Sequence, residues 1–231
     1  MTESADICSG LKIATDQVVY DLDRVHRILR PGVTACIVAH PERFGHTLPG
    51  TNQNGLLARA LESVMKQTWQ PDAVVVVNDK QRLGAGPMRQ LALDAVDTEW
   101  MAWLDSDDEW YPEHLAKLMA TAERTGACFV FPWFDSPGDP LGHFGLPFNP
   151  ATPHHTTITY LVRTDLAKQV GFNSDGLFGT YSNEDWVHLL GLCKLALERD
   201  LPMVHLAERT WFWHMGPHNT SGLPGQGDSQ P

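Results

Sequence analysis

The run Trp100-Met101-Ala102-Trp103-Leu104 passes directly into Asp105-Ser106-Asp107-Asp108-Glu109, so five apolar residues meet four carboxylates spread over five positions. Apolar character without alternation, over that length, predicts a strand buried on both faces. Such a strand needs cover on either side, which points to an α/β architecture, where ligands sit beyond the carboxyl ends of the strands. Asp105 and Asp107 are two apart and in extended chain point to the same side. Like charges that close raise each other's pKa unless something positive lies between them. A divalent cation with oxygen ligands answers that need, and Mg2+ or Mn2+ suits carboxylates. The competing reading is a solvated acidic turn before a helix, since Pro112 is suited to a first helical position.

The chain on either side supplies the rest of an α/β pattern. Thr34–Ala39 reads as a buried strand, and Leu56, Leu57, Ala60, Leu61, Val64 and Met65 mark one face of a helix. Ala73–Val77 is a second strand opening onto Asn78-Asp79. A flexible Gly84-Ala85-Gly86-Pro87 loop and a helix over Met88–Val96 follow. The strand described above comes third, then a helix over Pro112–Arg124 and a fourth strand, Cys128–Phe131. Strand and helix in alternation predict a mostly parallel central sheet flanked by helices. Glycine and proline crowd the start of residues 135–155, which read as a long surface loop. Thr156–Arg163 suits a strand in a smaller mixed sheet. Asn183 is a good N-cap for a helix to Arg199, with Val187, Leu190 and Ala196–Leu197 inward. A last strand covers Met203–Leu206, ahead of the aromatic Trp211-Phe212-Trp213-His214.

The expected organisation is therefore an N-terminal accessory segment, 1–32, with a helix over Gln17–Arg30. A main domain over 33–215 divides into two halves, 33–134 and 135–215. The tail, 216–231, is expected to be flexible. Seventeen basic residues against twenty-eight acidic ones, net −11, disfavour nucleic acid or an anionic membrane as partner. Cysteines at 8, 36, 128 and 193 show no paired spacing, which argues against a structural zinc site or a disulfide framework. No apolar run approaches the ~20 residues needed to span a bilayer, and the amino terminus has no secretory pattern. A cytoplasmic location is the expectation.

From about residue 33 to 215 the chain resembles a family 2 glycosyltransferase of the GT-A fold, which implies a nucleotide-sugar half over 33–134 and an acceptor and catalytic half over 135–215. The likeness is carried in order by Gln67-Thr68 after the first helix, Asp79 closing the second strand, and Gly86 to Arg89. Leu104-Asp105-Ser106-Asp107-Asp108 then resembles the DxD motif, Gly171-Phe172 the acceptor-side turn, and Glu184-Asp185-Trp186 the start of the catalytic helix. A weaker likeness, in His-Met-Gly-Pro-His-Asn-Thr-Ser-Gly after Trp213, is to glycosyltransferases of actinobacterial bacteriophages, which would make the expected location the host cytoplasm.

The resemblance implies roles for these residues. Asp79 would accept from the uracil or ribose of a nucleotide-sugar, with a turn or capping aspartate as the alternative. Asp105 would bind ribose, Ser106 would belong to the same donor site, and Asp107 would ligate a Mn2+ or Mg2+ that bridges the diphosphate. Asp108 would assist or cap the next helix. Arg89 would reach toward the diphosphate. Pro41 and Arg43 lie where the family contacts the base, although His40-Pro41-Glu42-Arg43 departs from its usual Pro-Thr/Tyr-Asn-Arg. Gln90 stands where the family usually has Asn, and Asn78 where it often has Asp.

Asp185, with Glu184 beside it, is the candidate general base, since inverting transfer needs a carboxylate to take the acceptor hydroxyl proton. A position in the first turn of a helix favours its ionised form. His214 is the candidate further metal ligand, with His218 as competitor and His154-His155 a remote one.

The implied activity is transfer of a sugar, with inversion, from a nucleotide-sugar (UDP-linked) to a hydroxyl acceptor on a glycan or protein. Two alternatives are a sugar-1-phosphate nucleotidyltransferase and a non-catalytic sugar-nucleotide or glycan-binding module. The first lacks its Gly-x-Gly-Thr-Arg signature here, and the intact Asp105, Asp107 and Asp185 argue against the second. Sugar, acceptor and assembly into a homo-oligomer stay open.

Overall fold

The computed structural model describes residues 11–13, 30–39, 55–81, 83–136, 147–153, 158–172 and 184–214. The elements are β1 (Leu11–Ile13), β2 (Arg30–Ala39), α1 (Gly55–Met65), β3 (Ala73–Asn78), α2 (Ala85–Ala95) and β4 (Thr98–Asp105). They continue with β5 (Glu109–Trp110), α3 (His114–Thr125), β6 (Phe129–Asp135), β7 (Leu161–Arg163), α4 (Thr164–Val170), α5 (Glu184–Glu198) and β8 (Met203–Phe212). All eight strands join one sheet, in the order β1-β3-β2-β4-β7-β6-β8-β5. The β1, β3, β2 and β4 neighbours run parallel, as β-α-β connections require. β7 runs antiparallel between β4 and β6, so the mixed part is continuous with the parallel part.

β4 lies fourth from the β1 edge, between β2 and β7, and is covered on both faces. Met101 and Trp103 belong to a core with α2, α4 and α5, while Ala102 and Leu104 belong to a second core with α1 and α3. The same alternation divides Cys36 from Ala35 and Ile37, and Phe129 and Phe131 from Val130. An unbroken apolar run thus serves two helical layers at once, one per face of the pleat.

Several elements differ from the sequence-based expectation. α3 begins at His114, with Glu113 as its N-cap, so Pro112 lies in the preceding turn. The start of α3 is held from a distance by Gln67, which is 3% exposed. Its Oε1 accepts the Leu115 N–H at 2.9 Å, and its Nε2 donates to the Tyr111 and Ser63 carbonyls at 2.7 and 3.1 Å. β8 is ten residues long and fuses the expected Met203–Leu206 strand with the aromatic run; its pairing with β6 shifts register around Trp133. The seven-residue α4 was not expected. Met65, Leu190 and Leu197, expected inward, are 49%, 37% and 53% exposed. α5 instead buries His188, Leu189, Leu192, Cys193 and Ala196. The expected helix over Gln17–Arg30, apart from Arg30 itself in β2, and the Asn183 cap lie outside the described residues.

Candidate active site

The carboxyl end of β4 and the first turn of α5 converge on Arg89 of α2. This guanidinium, with its side chain 8% exposed, donates from Nη2 to Asp105 Oδ1 at 3.1 Å and from Nη1 to Glu184 Oε1. Burial opposes its charge, but the Asp105, Asp185 and Glu184 carboxylates outweigh burial and hold it firmly protonated. Burial also pushes the Glu184 carboxyl above its ordinary range; Arg89 pulls it back, and Asp185 and Asp105 push it further up. Arg89 was expected to face a diphosphate. Its guanidinium joins β4 to α5, a long-range pairing that no sequence pattern announces.

Asp185 follows Glu184 and is half-buried; its Oδ1 accepts the Trp186 N–H at 2.7 Å in the first turn of α5. Asp79 is 2% exposed at the end of β3. Its two oxygens accept the Leu83 and Gly84 N–H groups at 2.8 Å each, fixing the loop ahead of α2.

Beyond Asp105 the chain turns, with Asp108 N–H donating to the Asp105 carbonyl at 3.0 Å. Ser106 and Asp108 are buried, at 3% and 2% exposure. Asp108 does not cap α3: its Oδ1 accepts the His214 N–H at 2.9 Å and fastens the end of the β8 segment to the acidic turn. The Asp107 carbonyl accepts from Arg59 Nη2 at 2.6 Å. Glu109 Oε2 lies 3.7 Å from Arg59 Nε and 3.1 Å from His214 Nε2. Arg59 and Glu109 were not singled out from sequence; Arg59 projects from α1, 48 residues from the turn it braces.

The residues present suit a cation only in part. Among the described residues no three His, Cys, Asp or Glu side chains form a ready cage. Asp107 offers a hard carboxylate, and His214 an imidazole. Burial and Arg59 lower the His214 pKa against the pull of Glu109, so the ring is neutral near pH 7. With Nε2–H donated to Glu109, the lone pair sits on Nδ1; a carboxylate behind the ring is the usual way a ligating histidine is oriented. An ion of the Mg2+ type takes few protein ligands and completes its shell with phosphates and water. Pro41, Arg43, His154-His155 and His218 lie outside the described residues. Among the described residues no helix is long and apolar enough to cross a membrane.

Residues 80–181 match the model of the family "Glycosyl transferase family 2". The succinoglycan biosynthesis protein ExoW of Rhizobium meliloti (strain 1021) is 32% identical over 100 residues, covering 32% of this chain and 31% of that protein. Among solved structures, S. aureus TarS 1–349 in complex with UDP superposes with a TM-score of 0.60 at 18% identity, over 80% of this chain and 61% of TarS 1–349. The mannosyltransferase PcManGT from Pyrobaculum calidifontis, in complex with GDP-Man and Mn2+, gives 0.60 at 16% identity, over 82% of this chain and 58% of PcManGT. The chain thus spans about a third of the curated relative and about three fifths of these structures. Its fold is that of the GT-A glycosyltransferases, and the segment bearing the acidic turn matches family 2 of those enzymes.

Proposed function

We propose that the chain is an inverting glycosyltransferase that moves a sugar from a UDP-linked donor to a hydroxyl acceptor, with Asp185 as general base. The observation that carries this reading is the Arg89 bridge, which brings the start of α5 against the end of β4. Asp105, Glu184 and Asp185 then all act on the one Arg89 guanidinium. The relatives solved with UDP and with GDP-Man support a nucleotide-sugar donor.

In this reading Asp105 and Ser106 meet the ribose, and Asp79 meets the base or ribose while holding the loop over Leu83–Gly84. Pro41 and Arg43 are proposed on the base side. Among the described residues, Arg89 pairs with Asp105 and Glu184, and Arg59 with Glu109 and the Asp107 carbonyl, while Asp107, Asp108 and Asp185 lie beside these in the chain. A diphosphate meeting that surplus of negative charge needs a cation between. Asp107 and His214 would hold a Mn2+ or Mg2+, which when bound supplies positive charge to the departing diphosphate. Glu184, held by Arg89, anchors the helix. Asp185 takes the acceptor proton as the acceptor oxygen attacks the anomeric carbon, and the single displacement inverts it. The test is calorimetric titration of UDP with and without Mn2+, followed by transfer or donor hydrolysis across UDP-sugars with anomeric configuration read by NMR. Metal-independent UDP binding, or retained configuration, would overturn it.

A further inference from the structure

Two residues beside this machinery have no part in the scheme above, yet both grip the same backbone. Phe172 N–H donates to Gln90 Oε1 at 2.7 Å, and Gln90 directly follows Arg89 on α2. His188 Nδ1–H donates to the Gly171 carbonyl at 2.8 Å, while its ring stacks on Phe172 at 4.0 Å between centroids and 16° between planes. Gly171 has φ 66° and ψ 176°, a combination open essentially to glycine alone. The turn that ends α4 is therefore held by α2 on one side and α5 on the other.

Glu184 and His188 are one turn apart on α5 and share a face. Arg89 fixes the first and Gly171–Phe172 the second. The same face continues to Gly191, where a Cβ would come within 2.4 Å of Val170 Cγ1 at the end of α4. Asp185 projects about 100° round the helix from Glu184. With one face pinned at two points, α5 cannot roll, and the direction of Asp185 is set. His188 itself is 1% exposed and its Nε2 has no hydrogen-bond partner among the described residues. A buried acceptor left unpaired costs stability, so core packing alone favours an apolar ring at this position.

We propose that His188 and Gln90 are positioning residues that aim Asp185 by fastening the Gly171–Phe172 turn to the first turn of α5. The proposal rests on the reading of Asp185 as base, but its structural half can be read without turnover. His188→Phe keeps the stacked ring and removes the Nδ1 donor. Gln90→Leu removes the acceptor for Phe172 N–H, whereas Gln90→Glu keeps an Oε there. Both loss variants should fold, lower kcat about tenfold or more, and leave UDP affinity and donor KM within about twofold of the parent. Gln90→Glu should recover most of the rate. Backbone amide exchange at residues 171–172 and 184–190 should rise about tenfold in His188→Phe, with α1 unchanged. A kcat equal to the parent's in both folded loss variants, or UDP affinity falling in step with kcat, overturns the proposal. Should the parent turn over no nucleotide-sugar, the glycosyltransferase reading fails, and amide exchange decides the clamp separately: unchanged exchange overturns it, and local loosening supports it.

Discussion

Arg89→Met tests the centre of the site, because it removes a buried charge while keeping much of the side-chain volume. Arg89 Nη2 lies 3.1 Å from Asp105 Oδ1, and Nη1 is paired with Glu184. At an effective dielectric of about 20, a unit pair at that distance attracts by about 5 kcal/mol, from which desolvation of the guanidinium must be taken. Removing one partner of a buried pair costs about 3–5 kcal/mol, because the other charge stays behind. Asp105 is 30% exposed and Glu184 18%, so water screens part of that, and the lower end, about 3 kcal/mol, is expected. For a chain of this size that is a fall of about 6–12 °C in Tm.

The pH dependence has a definite sign. The Glu184 carboxyl is already raised in the parent, mainly by burial, with Arg89 opposing. A raised carboxyl gives stability that is complete below its unfolded pKa and lost as pH rises through the folded one. Deleting Arg89 raises the folded value further and extends that window toward neutrality. The deficit of Arg89→Met should therefore be largest near pH 8 and smaller near pH 5, where Glu184 takes a proton. Calorimetric melts of both proteins at the two pH values measure it. A deficit under about 1 kcal/mol at pH 8, or one that grows on acidification, would refute the buried-bridge account.

Asp185→Asn keeps the Trp186 N–H acceptor but cannot take a proton, so turnover should fall ~10²–10⁴-fold with donor affinity nearly unchanged; near-parent rates would remove Asp185 as base. Asp107→Ala should abolish Mn2+-dependent UDP binding in calorimetry, since it deletes a proposed ligand of the ion. His214→Ala should weaken that binding ~10–100-fold, and His218→Ala much less; equal effects would mean the ligand is misassigned. Gly32→Ala should destabilise the fold, because φ is +123° and a Cβ would sit 2.3 Å from Asp72 Oδ2, which accepts the Val33 N–H. A Tm within about 2 °C of the parent would contradict that strain.

The parallel half of the fold was legible because burial on both faces leaves a plain mark. Ala102 and Leu104 serve one helical layer and Met101 and Trp103 the other, so the run has to be apolar throughout. The helical phase of α5 was not legible. Leu190 and Leu197 look like core, yet Glu184, His188 and Gly191 set which side faces α4, and a histidine and a glycine carry no such signal. α4, only seven residues long, offers less than two turns of periodicity. Within the site, the acidic turn and the Glu184-Asp185 pair were visible as local motifs. What connects them was not: Arg89 reaches Asp105 across 16 positions and Glu184 across 95, and Arg59 reaches Asp107 across 48. Such pairings are made by the sheet, which alone brings those segments together.

Gln67 gives the assembly of the chain a required order. The first turn of a helix carries orphan N–H groups that a local side chain usually satisfies. α3 has no side-chain hydrogen bond from its own N-cap, and its Leu115 N–H goes to Gln67, 48 residues earlier. That bond forms only after the intervening strands and α2 have closed a long loop, whose entropy must be met first. The first turn of α3 is therefore completed only once α1 has docked. Contacts of such sequence separation slow folding, and a Gln67→Leu chain should refold more slowly to the extent that this bond is formed in the transition state.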